Sequence, residues 1–267
     1  YRYFAAAAIL FGYCKIKGLR LRFELRSHGW FVLLGLCIFC LNYVLAYRAQ
    51  LYITSALAAI AFSSIVWMNI INARVFFGIR GTPRLYFGTA LGIVGFLVLF
   101  SAHQADLHYS EMVLYGFGVA LIGALCASFG NMVMQASHHD QLPVVQTNAW
   151  GMLYGAILTT LLSLALGHEF TIDTRPAYIA SFIYLTVFAS VVAFVSYLTL
   201  LGRIGAQRAG YSSVMFPVVA LVVSTILEGL QLNPYILGGF ALVLFGNVLV
   251  LSRKAETRRS GAKSTTQ

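Results

Sequence analysis

Apolar residues fill nine stretches of the chain, at 3–14, 30–53, 55–77, 85–102, 112–135, 145–166, 177–201, 210–230 and 235–251, with short polar turns between them. The first is only about twelve residues long. Each of the others is near the roughly 20 residues an α-helix needs to cross a hydrocarbon core of about 30 Å. A bilayer offers no partner to exposed backbone N–H and C=O groups, so runs of this kind cross as helices. The pattern predicts an all-α polytopic membrane protein with nine visible transmembrane helices.

Alternating the direction of these helices sorts the basic residues. Lys15, Lys17, Arg20, Arg22, Arg26, Arg74, Arg80, Arg84, Arg203, Arg208, Arg253, Lys254, Arg258, Arg259 and Lys263 fall on one side; only Arg2, Arg48 and Arg175 fall on the other. Fifteen against three makes the first side cytoplasmic and puts the C-terminus there. The segment 15–29 alternates basic and apolar residues, as an interfacial stretch does. The tail 253–267 is polar and basic, the composition of a disordered segment.

Composition agrees: 60% of the 267 residues are hydrophobic and 10% charged, whereas a soluble domain has about a quarter charged. The net charge of +10 would suggest nucleic acid in a soluble protein. Here orientation in the membrane and anionic headgroups account for it, so no nucleic-acid partner is expected. Cys37 and Cys40 form a CxxC, but inside an apolar helix, where they read as small packing residues rather than a zinc or redox site. His138, His139 and Asp140 read as a short cytoplasmic turn, and His103 with His108 as an outer loop. Neither group has the further ligands that a metal needs, so no metal or cofactor is expected. There is no His-Glu-x-x-His, Gly-x-Ser-x-Gly, phosphate loop or intramembrane Asp pair, and the chain does not read as an enzyme.

Internal repetition is the next signal. Gly88 and Gly95 recur as Gly239 and Gly246, an offset of 151 residues, and the same offset sets 52–61 against 203–212. Five helices separate the copies, so they would run in opposite directions across the membrane. That is a transporter architecture, with solute held near the midplane between the halves.

These residues resemble a known family. The run from Leu201 to Pro217, with Gly202, Gly205, Ala206, Gly210 and the mid-membrane Pro217, is similar to the second repeat of the drug/metabolite transporter superfamily, EamA type. Glu228 and Gly229 stand where that family closes the helix with an acidic residue. Residues 238–246 resemble its last helix, and 1–7, with Arg2 in the usual arginine position, its second. The turn at 46–61 resembles the one before its fourth. Val66 and Phe77 depart from the pattern, standing where the offset would place Pro217 and Glu228. The resemblance implies ten helices in two inverted five-helix repeats: residues 1–102 as helices 2–5, 112–252 as helices 6–10, and a first helix of roughly 30 residues ahead of Tyr1.

Polar side chains away from helix ends are costly in a membrane unless they face protein or a wet cavity. Asn42 and Tyr43, Ser63 and Trp67, Asn131, Asn148 and Trp150, and the stripe Thr186, Ser190 and Tyr197 are the candidate lining of a solute cavity. Ser and Thr at such places also pack by bonding back to the preceding turn. Pro217 removes a helical hydrogen bond and reads as a hinge, and Glu228 as a structural or gating residue at the mouth. The function these features imply is a secondary transporter, exporting a small amino acid-like or drug-like metabolite by alternating access, in a bacterial inner membrane. The alternative is a membrane solute sensor or scaffold that does not transport. Coupling to a proton or another ion, and a homodimer, stay open.

Overall fold

The computed structural model describes residues 1–78, 83–101, 107–167, 170–171, 173–205, 211–227 and 233–251. Glu228 and the tail 253–267 lie outside them. Among the described residues the chain forms nine helices and no strand. They are α1 Arg2–Ile16, α2 Leu25–Ala49, α3 Ser55–Phe77, α4 Pro83–Ser101, α5 Leu107–His139, α6 Val144–Ala165, α7 Pro176–Ile204, α8 Tyr211–Leu227 and α9 Pro234–Leu251. Helices α2, α3, α5, α6 and α7 are long and apolar enough to cross a membrane. Large apolar side chains such as Leu114, Ile122, Leu161, Ile183 and Phe188 stand exposed along them, as they do where lipid rather than water covers the surface.

Some boundaries differ from the apolar pattern. Helix α2 begins at Leu25 and ends at Ala49, because the chain is extended at Glu24 and turns after Gln50 to reach α3. The α3 start is fixed by two hydroxyls: Thr54 Oγ1 accepts from the Leu57 N–H, and Ser224 Oγ of α8 from that of Ala56. These satisfy donors that a helix start leaves open. Helix α5 takes in His108 and Glu111 at one end and His138 and His139 at the other. The expected solvated turn at His138 is therefore corrected. His138 is half-buried in the last turn of α5, its ring against Gly202 of α7 where no side chain intervenes.

Close approach shapes the packing. Gly116, Gly123 and Gly130 recur every seven residues down α5, and α2 runs antiparallel along this seam. A methyl at Gly116 would lie 2.7 Å from Tyr52 Cβ, one at Gly123 3.3 Å from Leu45 Cβ, and one at Gly130 would collide with Ile38. Small residues of this kind let membrane helices come together. Helix α4 packs chiefly on α9, through the glycines of the sequence repeat. A methyl at Gly95 would sit 2.8 Å from the Gly239 carbonyl, and one at Gly246 2.6 Å from that of Gly88.

Two helices widen into π turns, α2 at Gly35–Leu41 and α7 at Leu185–Val192. In α7, Ser190 Oγ donates to the Leu185 carbonyl at 2.9 Å, five residues back. Helix α3 is interrupted at Ser64, whose N–H bonds to the Ala61 carbonyl, three residues back. Leu25 and Pro83 open helices 151 residues ahead of Pro176 and Pro234, and the π turns fall within one residue of that offset.

Candidate functional site

A cavity of about 650 Å³ opens between α2, α3, α5 and α7. Its wall is mostly apolar, with Ile38, Phe62, Ile65, Phe194 and Leu200, and its polar groups are few: Asn42, Tyr43, Ser63, Asn131, Ser196 and Tyr197. A small-solute site typically has this make-up, apolar body contacts and a few placed polar atoms. The glycine seam of α5 lets α2 lie close enough for Asn42 and Asn131 to face one space. Asn42 follows the π turn of α2. Its amide nitrogen donates to the Ile38 carbonyl at 3.4 Å, and its buried Oδ1 has no partner among the described residues. Ser63 donates to the Ile60 carbonyl at 2.7 Å, so its hydroxyl is committed to its own helix.

Polar clusters flank the cavity. On one side, Asn131 Nδ2 of α5 donates to Asn69 Oδ1 of α3 and to the Tyr197 hydroxyl of α7, both at 3.2 Å. Asn72 Nδ2 donates to Ser128 Oγ at 2.8 Å and ties α3 to α5. On the other side, the Arg2 guanidinium of α1 donates to Ser190 Oγ of α7 at 2.6 Å and to the hydroxyls of Tyr47 and Tyr43 of α2 at 3.1 and 3.2 Å. The Tyr1 ring meets Phe170 edge-on at a centroid distance of 6.2 Å, so the Arg2 cluster lies toward the loop before α7. On that loop Asp173 pairs with Arg175 at 2.7 Å, a hydrogen bond that holds its carboxyl below the usual range.

The structure thus brings together Asn42, Tyr43, Ser63, Asn131 and Tyr197 of the expected lining. It does not bring Trp67, Asn148, Trp150, Thr186 or Ser190 to the cavity wall. Trp150 sits in an aromatic cluster with Phe11, His28 and Tyr154, and its indole N–H donates to the Leu21 carbonyl. Asn148 is fully buried on α6 with neither amide atom partnered among the described residues. Thr186 and Ser190 are buried within the π turn, and Trp67 is half-buried on α3. Pro217 is buried inside α8. Sequence reasoning left Arg2 and Asn69 out of the site. Arg2 reads only as an outer-side basic residue in the family's usual arginine position, and Asn69 lies two residues from the more conspicuous Trp67. Among the described residues no group of three or more His, Cys, Asp or Glu side chains is placed to hold a metal.

A bundle of apolar helices around such a cavity is the make-up of a membrane transporter, and comparison with known proteins agrees. The EamA-like transporter family matches residues 114–252, over half of the chain, and the chain belongs to that family. It is 29% identical over 231 residues to a Salmonella typhimurium protein named as a probable amino-acid metabolite efflux pump, covering 81% of this chain and 70% of that one. It is 24% identical over 251 residues to the uncharacterized inner membrane transporter YedA of Escherichia coli K12, covering 93% and 79%. A solved crystal structure shares the fold with a TM-score of 0.67 at 17% identity, covering 93% of this chain and 84% of its own.

Proposed function

We propose that the protein is a secondary transporter that exports a small amino acid-like or drug-like metabolite across a bacterial inner membrane by alternating access. The observation that carries this reading is the cavity between α2, α3, α5 and α7, flanked by the Arg2 and Asn131 clusters, which tie together different helices. Bonds between different helices can part and re-form as one half moves against the other around a fixed site. Residues 1–102 and 112–252 are the two inverted repeats in this reading. The shared offset of helix starts and π turns supports that division, as does the reciprocal seam in which Gly88 faces Gly246 and Gly95 faces Gly239. Exchanging the two copies turns each of these contacts into the other, as a local two-fold axis would. Pro217 serves as the hinge of the second half and Glu228 as a structural or gating residue. Relatives named as an efflux pump and an inner membrane transporter support the direction and the membrane.

The test is solute movement in proteoliposomes bearing the full-length protein, with and without a pH gradient. Transport of at least one amino acid-like or drug-like solute is expected. A solute that raises the melting temperature but is never translocated would favour a sensor, and failure of a broad panel would reject transport.

A further inference from the structure

A guanidinium set among membrane helices is costly unless an opposite charge compensates it. Arg2 has no carboxylate partner among the described residues. Its hydrogen-bond partners are neutral hydroxyls, those of Ser190, Tyr47 and Tyr43. The described ion pairs lie elsewhere, between Asp173 and Arg175 and between Asp140 and His139. A guanidinium carries five N–H groups, and these bonds take one from each of its three nitrogens. Among the described residues one N–H therefore stays open on each terminal nitrogen, and a carboxylate is the strongest acceptor such charged donors take. The rings of Tyr3 and Tyr43 lie 4.9 and 4.7 Å from Cζ and help to hold the group in place. Tyr43 is both a partner of Arg2 and part of the cavity wall, and Ser190 follows the cavity-lining Ala189.

We propose that Arg2 recognises a carboxylate on the transported solute, with Ser190, Tyr43 and Tyr47 positioning its guanidinium beside the cavity, behind the lining residue Tyr43. The substrate class is then small organic acids with an apolar body, α-amino acids included: the acid group meets Arg2 and the body lies against Phe62, Ile65 and Phe194. This inference rests on the reading of the cavity as a transport site.

Proteoliposomes bearing the full-length protein are assayed with the common amino acids and, in parallel, with their C-terminal amides. The wild type carries at least one acid faster than its amide, by roughly tenfold or more, because a site built for a polar group rejects the analogue that lacks it. Arg2→Gln loses that preference while still eluting as a single folded species. Arg2→Lys restores part of it, having the charge without the fork. Glu169→Gln and Asp173→Asn leave it in place. Should Arg2→Gln not fold, the same ratio is read on Ser190→Ala and Tyr47→Phe, where it drops by about two- to fivefold. A wild type that carries acid and amide alike, or an Arg2→Gln protein that keeps the preference, overturns the assignment. So does loss of the preference in Glu169→Gln, since the guanidinium would then serve a loop carboxylate. If the wild type carries no member of either panel but carries other solutes, the assignment alone falls. If it carries nothing, the transport reading falls with it.

Discussion

On one side of the cavity a guanidinium is held by three hydroxyls from α2 and α7; on the other, an amide meets an amide and a phenol across α3, α5 and α7. The first cluster carries a charge with no described acid to balance it. The second is neutral. A neutral hydrogen bond exchanged for one to water changes free energy by only about 0.5–1.5 kcal/mol, so the amide cluster is suited to parting and re-forming. A charge among helices is costly to leave unmatched, so the guanidinium cluster is suited to choosing a ligand. The difference teaches that closing a cavity and selecting its contents call for different chemistry.

The largest expected effect concerns which cluster faces which compartment. In a background lacking the four native cysteines, Thr171→Cys should react with an impermeant maleimide from outside the cell and Gln141→Cys should not. That result assigns the Arg2 cluster to the outer side; reversed labelling would assign it to the cytoplasm and undo the charge-based orientation.

Asn131→Leu comes next. It removes the donor to both Asn69 and Tyr197 and leaves two buried oxygens without it, a cost of about 1–3 kcal/mol. A fall of several degrees in melting temperature and a slowed transport rate are expected, with the acid-over-amide ratio unchanged. A changed ratio would show that the amide cluster also selects. Ser190→Ala takes away the acceptor of Arg2 Nε and should lower the ratio with a smaller change in melting temperature, the opposite signature. Trp67→Phe should have the smallest effect, because Trp67 does not line the cavity. Transport within about twofold of wild type is expected, given that surface and rim changes usually cost little. A loss matching that of Asn131→Leu would place Trp67 in the solute path.

Much of this architecture is legible in the sequence. Hydrophobic runs locate the helices because a membrane imposes one solution on the backbone, and glycine spacing points to α4 and α9 because only glycine permits their contact. Asn42, Asn131 and Tyr197 stand out because polar groups at such depth demand a reason, and all three line the cavity. The placements that differ from the pattern have physical causes. The stripe Thr186, Ser190 and Tyr197 assumes 3.6 residues per turn, but the π turn of α7 changes the register, so Ser190 meets Arg2 while Tyr197 meets Asn131. Arg2 is brought to the site by residues 41, 45 and 188 positions away, and no local pattern encodes that meeting. The seven-residue recurrence of Gly116, Gly123 and Gly130 was the one readable sign that α2 lies against α5.

Helix α7 carries one member of each cluster, Ser190 within its wide turn and Tyr197 just beyond it. It therefore links the two clusters along one helix. Were the wide turn to tighten by one residue, everything past Val192 would swivel by about 100°, the angular step of one helical residue. Tyr197 would be carried away from Asn131 while Ser190 kept its place beside Arg2. One cluster could then part by torsion while the other held, at the cost of repacking Leu198 and Leu201, which are fully buried beyond the turn.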